Sequence, residues 1–174
     1  MLTLLLVACH VPPSKPPGAP ITKTPWGLLH LPALPDKGTF VFDVLPNGPL
    51  CGAEATYVRC ASFTLPVVEE DTWMRLESLP IAITEPGKDE LLAPQLLLFD
   101  EDWKQVDEVR PAGFSPVVSG NKGVARASVM LKPGGAARYA LILSTRWKLD
   151  EPAWEGNRAP TWSNVGQVVV EIDP

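Results

Sequence analysis

Apolar residues recur along this chain in short alternating runs, each ended by a turn-forming residue. Thr39–Leu45 places Phe40, Phe42 and Val44 on one face, and Pro46-Asn-Gly-Pro49 then turns the chain. Residues 55–65 carry Tyr57, Val58, Phe63 and Leu65 and stop at Pro66. Thr72–Ser78 alternates Met74 and Leu76 with Arg75 and Glu77, which gives one apolar and one charged face. Trp73 then falls on the second face, against the tail or another layer. Pro80–Thr84 is a further short run, and residues 85–92 read as a loop with room for one helical turn.

Gln95–Phe99 is continuously apolar after its first residue, as expected of a strand buried on both faces. Asp100-Glu-Asp102 closes it with a charged turn, and Trp103–Val109 reads as a strand or a short turn. Val124–Leu131 and Arg138–Ser144 flank Lys132-Pro-Gly-Gly-Ala136, which has Pro and Gly where a type II turn places them, so a hairpin is predicted. Val165–Ile172 makes a last strand. Eight or nine strands with turns at regular spacing predict an all-β fold, an antiparallel β-sandwich or jelly roll of about eight strands over residues 36–174.

The chain before that body is of another kind. Leu6-Val7-Ala8-Cys9 resembles a bacterial lipobox: an apolar segment enters the membrane, a small residue fits the peptidase, and the thiol accepts acyl chains such as palmitate. No Lys or Arg precedes Cys9 and the apolar run is short, so residues 1–8 read as the remnant of a longer signal peptide. His10, rather than Asp, follows Cys9, which favours the outer over the inner membrane. Residues 9–35 then carry eight prolines between Pro12 and Pro35, which favours polyproline II and a semi-rigid tether lifting a domain off the membrane. With Cys9 assigned to lipid, Cys51 and Cys60 remain. In the periplasm they are expected to form a disulfide; the alternative is two inert buried thiols.

Composition narrows the function more than it defines it. The 174 residues hold 15 Lys plus Arg against 20 Asp plus Glu, a net charge of −5, so binding of nucleic acid through charge is not expected. The two histidines, His10 and His30, lie in the tether and its approach, which leaves no base for a Ser or Cys nucleophile and no convincing zinc site. His30 reads as a surface or edge residue. Asp100, Asp102, Asp107, Glu108, Asp150 and Glu151 include enough carboxylates for glycoside hydrolysis, and Asp100-Glu-Asp102 enough oxygens to draw calcium. Each has the simpler reading of a solvated turn or edge charge. No metal or cofactor is expected.

Six tryptophans are present, and Trp147, Trp154 and Trp162 fall close together in a polar, loop-like stretch. An indole face stacks on a sugar ring or captures a partner, and Arg158 between them adds hydrogen-bond donors. The same loop, folded over an open end of the sandwich, would bury its own tryptophans.

Ser78-Leu79-Pro80, then Leu92-Ala-Pro-Gln-Leu-Leu-Leu-Phe-Asp100 with Trp103 shortly after, Arg138–Thr145, and Phe63-Thr-Leu-Pro66 upstream together resemble the maltose operon periplasmic protein family. The resemblance covers residues 26–174 and extends to prepeptidase-type β-sandwich accessory domains. It implies a secreted, β-rich, non-catalytic protein linked to carbohydrate uptake, and it carries no catalytic residues over. The expectation is therefore a lipid-anchored envelope protein whose sandwich binds carbohydrate or an envelope protein through Trp147, Trp154, Arg158 and Trp162. The alternative is a structural or assembly lipoprotein with no small-molecule ligand.

Overall fold

The structure is a computed structural model and describes Ser14 and residues 21–52, 58–79, 90–92, 94–110, 113–116, 123–144, 161–163 and 165–173. Among these residues the regular structure is all β. The strands are β1 Ile21–Thr24, β2 Gly27–His30, β3 Gly38–Val44, β4 Leu50–Cys51, β5 Val58–Thr64, β6 Thr72–Leu79 and β7 Glu90–Leu92. They continue with β8 Pro94–Phe99, β9 Gln105–Val109, β10 Gly113–Pro116, β11 Gly123–Leu131, β12 Tyr139–Ser144, β13 Thr161–Ser163 and β14 Gly166–Asp173.

Ten of them build an antiparallel β-sandwich. Sheet I runs β10-β11-β6-β14-β3 and sheet II runs β4-β5-β12-β8-β9. The alternation in sequence sets the faces. In sheet I, Phe42, Val44, Met74, Leu76, Val168 and Val170 point inward and are buried. Arg75, Glu171 and Asp173 point outward, with Arg75 Nη1 at 3.6 and 3.7 Å from the two carboxylates. Such exposed pairs add little stability. Trp73 shares this outward face, as its place beside Met74 requires, but it stands 42% exposed rather than covered.

Sheet II is apolar on both faces. Leu96, Leu98, Ala140 and Ile142 meet sheet I, while Leu97, Phe99, Leu141 and Leu143 turn the other way into a second core. That is why Gln95–Phe99 reads as an unbroken apolar run rather than an alternating one. A second buried face needs a third layer, and the β1–β2 hairpin supplies it. Leu29 and Leu31 are buried against the outer face of sheet II, and each such side chain contributes about 1.5–3 kcal/mol. Ser62 Oγ donates to the His30 carbonyl at 2.7 Å. Thr64 N–H donates to Pro32 C=O at 2.9 Å and Leu34 N–H to Thr64 C=O at 3.2 Å.

Residues 21–34, which the sequence places in the tether, are thus part of the body. Pro25-Trp26 forms the hairpin turn, where a missing N–H costs nothing, and Thr24 Oγ1 accepts from Trp26 N–H at 3.1 Å. Gly27 follows at φ 111°, and a Cβ there would lie 2.9 Å from the Leu50 carbonyl oxygen, so glycine lets the hairpin sit directly on β4. His30 is exposed on this hairpin, consistent with its reading as a surface residue.

Two further expectations need correction. The type II turn at Lys132–Gly135 forms, with Gly135 N–H donating to Lys132 C=O at 3.0 Å and Gly134 at φ 65°. It does not make a hairpin, because β11 lies in sheet I and β12 in sheet II; the turn carries the chain between sheets. The loop expected over 85–92 contains β7, which pairs in parallel with β13 and buries Leu92 in the main core. Trp103–Val109, open between strand and turn, resolves into the end of a turn followed by β9. Pro80–Thr84 lies outside the described residues.

Candidate functional site

Cys51 and Cys60 are joined by a disulfide, with Cα atoms 5.9 Å apart and both residues buried in the second core. They fasten the two-residue β4 to β5, where Leu50 pairs with Arg59 and Cys51 with Val58.

At one margin of the same core, aromatic rings from three separate stretches converge. Trp26 comes from the hairpin turn, Phe99 from the end of β8, Trp103 from the turn after it, and Tyr139 from the start of β12. Trp26 and Phe99 have ring centroids 5.0 Å apart, and Phe99 and Trp103 are 5.8 Å apart. Trp103 lies parallel on Tyr139, with centroids at 4.4 Å and planes 3° apart. Phe99 is fully buried; Trp26, Trp103 and Tyr139 are half-buried and reach the surface.

The local sequence explains how Trp103 is held. Asp100 Oδ1 accepts from the Asp102 and Lys104 N–H groups at 3.0 and 2.9 Å. Asp100 C=O accepts from Trp103 N–H at 3.2 Å, and Asp100 N–H donates to Lys104 C=O at 3.0 Å. This closed turn drives Trp103 to φ 62°, the left-handed region, where it is the one non-glycine residue among those described. A bulky side chain there is an outlier worth about 1–3 kcal/mol. Ring stacking returns about 0.5–1.5 kcal/mol beyond area burial. The charged turn read from sequence is thus the clamp that presents an indole.

Of the candidate carboxylates, Asp100 anchors this turn, and Asp107 and Glu108 have partners of their own. Asp107 Oδ1 accepts from Glu108 N–H at 2.7 Å. Glu108 Oε1 accepts from Gln95 Nε2 at 2.5 Å and from the Arg110 guanidinium. The Arg110 hydrogen bond, opposed by slight desolvation and aided by the Arg110 charge and Gln95, holds the Glu108 carboxyl below its usual range. A lowered folded pKa stabilises above the unfolded value near 4.5, and that contribution is lost as pH falls through the folded value. Arg110→Ala is expected to move the Glu108 midpoint upward in a side-chain NMR titration. An unmoved midpoint would refute the assignment of the shift to Arg110. Asp150 and Glu151 lie outside the described residues.

Of the binding residues expected from sequence, Trp147, Trp154 and Arg158 lie outside the described residues, as does Cys9. Trp162 lies on β13, its backbone opposite Leu91 of β7. The aromatic patch at Trp26, Trp103 and Tyr139 was not singled out by sequence density. Its one local signal is a tryptophan set directly behind an acidic turn, where glycine is the usual occupant. Compared with protein-family models, with curated proteins and with solved structures, the chain gives no match. Fold and site together define a disulfide-stapled antiparallel β-sandwich with a third-layer hairpin and an aromatic patch at its surface.

Proposed function

We propose that the protein is a lipid-anchored protein of the bacterial envelope, on its periplasmic side, and that its sandwich is a non-catalytic binding module for carbohydrate. The Leu6-Val7-Ala8-Cys9 motif supports the anchor, and the Cys51–Cys60 disulfide supports an oxidising compartment. The observation that carries the ligand class is Trp103. Its strained backbone and parallel stack on Tyr139 hold a flat indole at the surface, and strained residues cluster at ligand clamps. Apolar faces of sugar rings pack on such a surface. The tryptophans at 147, 154 and 162 with Arg158 are a second set of contacts in this reading.

The test is titration of the purified protein with soluble maltooligosaccharides and other envelope glycans by calorimetry, alongside Trp103→Gly and Trp103→Ala. Glycine removes the backbone strain while deleting the indole, so Trp103→Gly is expected to stay within about 1 kcal/mol of the parent in stability. Both variants are expected to lose at least tenfold in glycan affinity. A glycan that binds the parent and Trp103→Gly equally would remove Trp103 from the site. The assembly-subunit reading has its own observation. Ile21 and Leu28 share the outer face of the β1–β2 hairpin and are 65% and 61% exposed, a surface suited to a protein partner. Loss of a co-purifying envelope complex in Leu28→Asp, with no glycan bound by the parent, would favour it.

A further inference from the structure

We infer that the end of the sandwich where β3 begins is held against the lipid bilayer, with Val67 and Trp73 at the contact. The inference rests on lipidation of Cys9, and it assigns which face meets the membrane. Ser14 is bound to the edge of β3: its N–H donates to Thr39 C=O at 3.0 Å, and its C=O accepts from Val41 N–H at 3.0 Å. The bridge between Ser14 and Phe40 is parallel, so the chain enters Ser14 from the Gly38 end of β3. Four residues lie between Cys9 and Ser14, which makes five steps along the chain. Fully extended, they reach at most about 18 Å. The stretch 9–35 therefore does not act as one long spacer, because the body takes hold of it at Ser14.

Sheet register shows what else lies at that end. Gly38 pairs with Ile172, Asp173 with Trp73, and Thr72 with Leu131, so one row crosses the sheet from β3 to β11. The loop leading into Thr72 carries Val67, 84% exposed, and Trp73 is 42% exposed on the row itself. An open pocket of about 280 Å³ beside Val67 is lined by Leu65, Leu98 and Leu131 together with the charged Asp107, Lys132 and Arg138. Exposed Trp and aliphatic residues suit the interface between headgroups and acyl chains. Lys37 and Lys132 flank this end, but Asp36, Glu69, Glu70, Asp71 and Asp173 outnumber them. Attraction to anionic lipid is thus not the holding force. A short anchor supplies it by keeping the end at high effective concentration at the surface.

The opposite end of the same frame carries Leu45, 48% exposed, after the last residue of β3. Six strand steps from Gly38 to Val44 separate the two ends by about 20 Å. Val67→Cys and Leu45→Cys, each labelled with a fluorophore on the lipidated full chain in phosphatidylcholine vesicles, give the comparison. Doxyl-lipid quenching is expected to be several-fold stronger at position 67 than at 45. A Gly/Ser spacer of about 20 residues inserted between Cys9 and Ser14, about 25 Å in r.m.s. span, is expected to abolish the difference. Equal quenching at 67 and 45, with the lipid mass present on Cys9, would overturn the orientation and leave the lipoprotein reading intact. An unmodified Cys9 by intact mass would remove both.

Discussion

Phe63→Ala is expected to destabilise the sandwich by about 3–5 kcal/mol. Phe63 is fully buried near the end of β5, and its ring lies 4.9 Å from that of Phe42 on β3, across the gap between sheets. Truncation removes the transfer energy of the ring and leaves a cavity that close-packed neighbours fill only in part. Both sheets are fixed by their own hydrogen-bond ladders, which limits how far they can close on the void. Net stability of a domain is about 5–15 kcal/mol, so this single change removes a large share of it. Urea denaturation reads the effect as a lower midpoint with an unchanged slope. Val67→Ala, at an exposed position, is the control and is expected to stay within about 0.5 kcal/mol. A Phe63→Ala midpoint equal to the parent would mean that the two sheets do not pack through this pair.

The faces of the strands were legible because alternation is a local property. Phe40, Phe42 and Val44 read as one inward face, and they are one. The unbroken Gln95–Phe99 run read as buried on both sides, and its leucines alternate between two cores. Sheet partners were not legible. Nothing local to Lys132-Pro-Gly-Gly-Ala136 distinguishes a turn that joins paired strands from one that crosses between sheets, because pairing is decided by residues far along the chain. β11 pairs with β6, and β12 with β5 and β8. The β1–β2 hairpin was hidden by prolines on either side of it. Its strands are four residues each, and only Leu29 of the eight strand residues is buried. The layer exists because sheet II has a second apolar face to cover, which is a tertiary demand.

The candidate site was hidden for a similar reason. Tryptophan density pointed to residues 147–162, whereas the patch gathers rings from positions 26, 99, 103 and 139. Such a set forms only once the hairpin has folded across sheet II. The Asp100 turn was legible, but its left-handed Trp103 was not, since acidic turn residues predict a turn and not the φ of the residue after it.

Removing the disulfide as Cys51→Ala/Cys60→Ala is expected to cost about 2–4 kcal/mol, and the bridge closes a loop of about ten residues whose chain-entropy contribution alone is about 2.7 kcal/mol. For a domain of this size that lowers Tm by about 5–10 °C. The loss should be local before it is global. β4 has two residues and two ladder pairs, and beyond the bridge it is held by Cys60 N–H to Pro49 C=O at 3.2 Å and Arg59 Nη1 to Gly48 C=O at 2.7 Å. The β1–β2 hairpin rests on β4 through Gly27, so freeing β4 loosens the cover of the second core. Hydrogen exchange is therefore expected to rise first at residues 27–31 and at Leu50 and Cys51, ahead of β6 and β14 in the centre of sheet I. Uniform acceleration across both sheets would show that the bridge acts on the unfolded chain alone. Reduction of the parent should reproduce the double variant only after the core opens, because both cysteines are buried. Faster exchange at residues 27–31 in the double variant would tie Trp26, which the outer layer contributes to the aromatic patch, to the oxidised state of this bond.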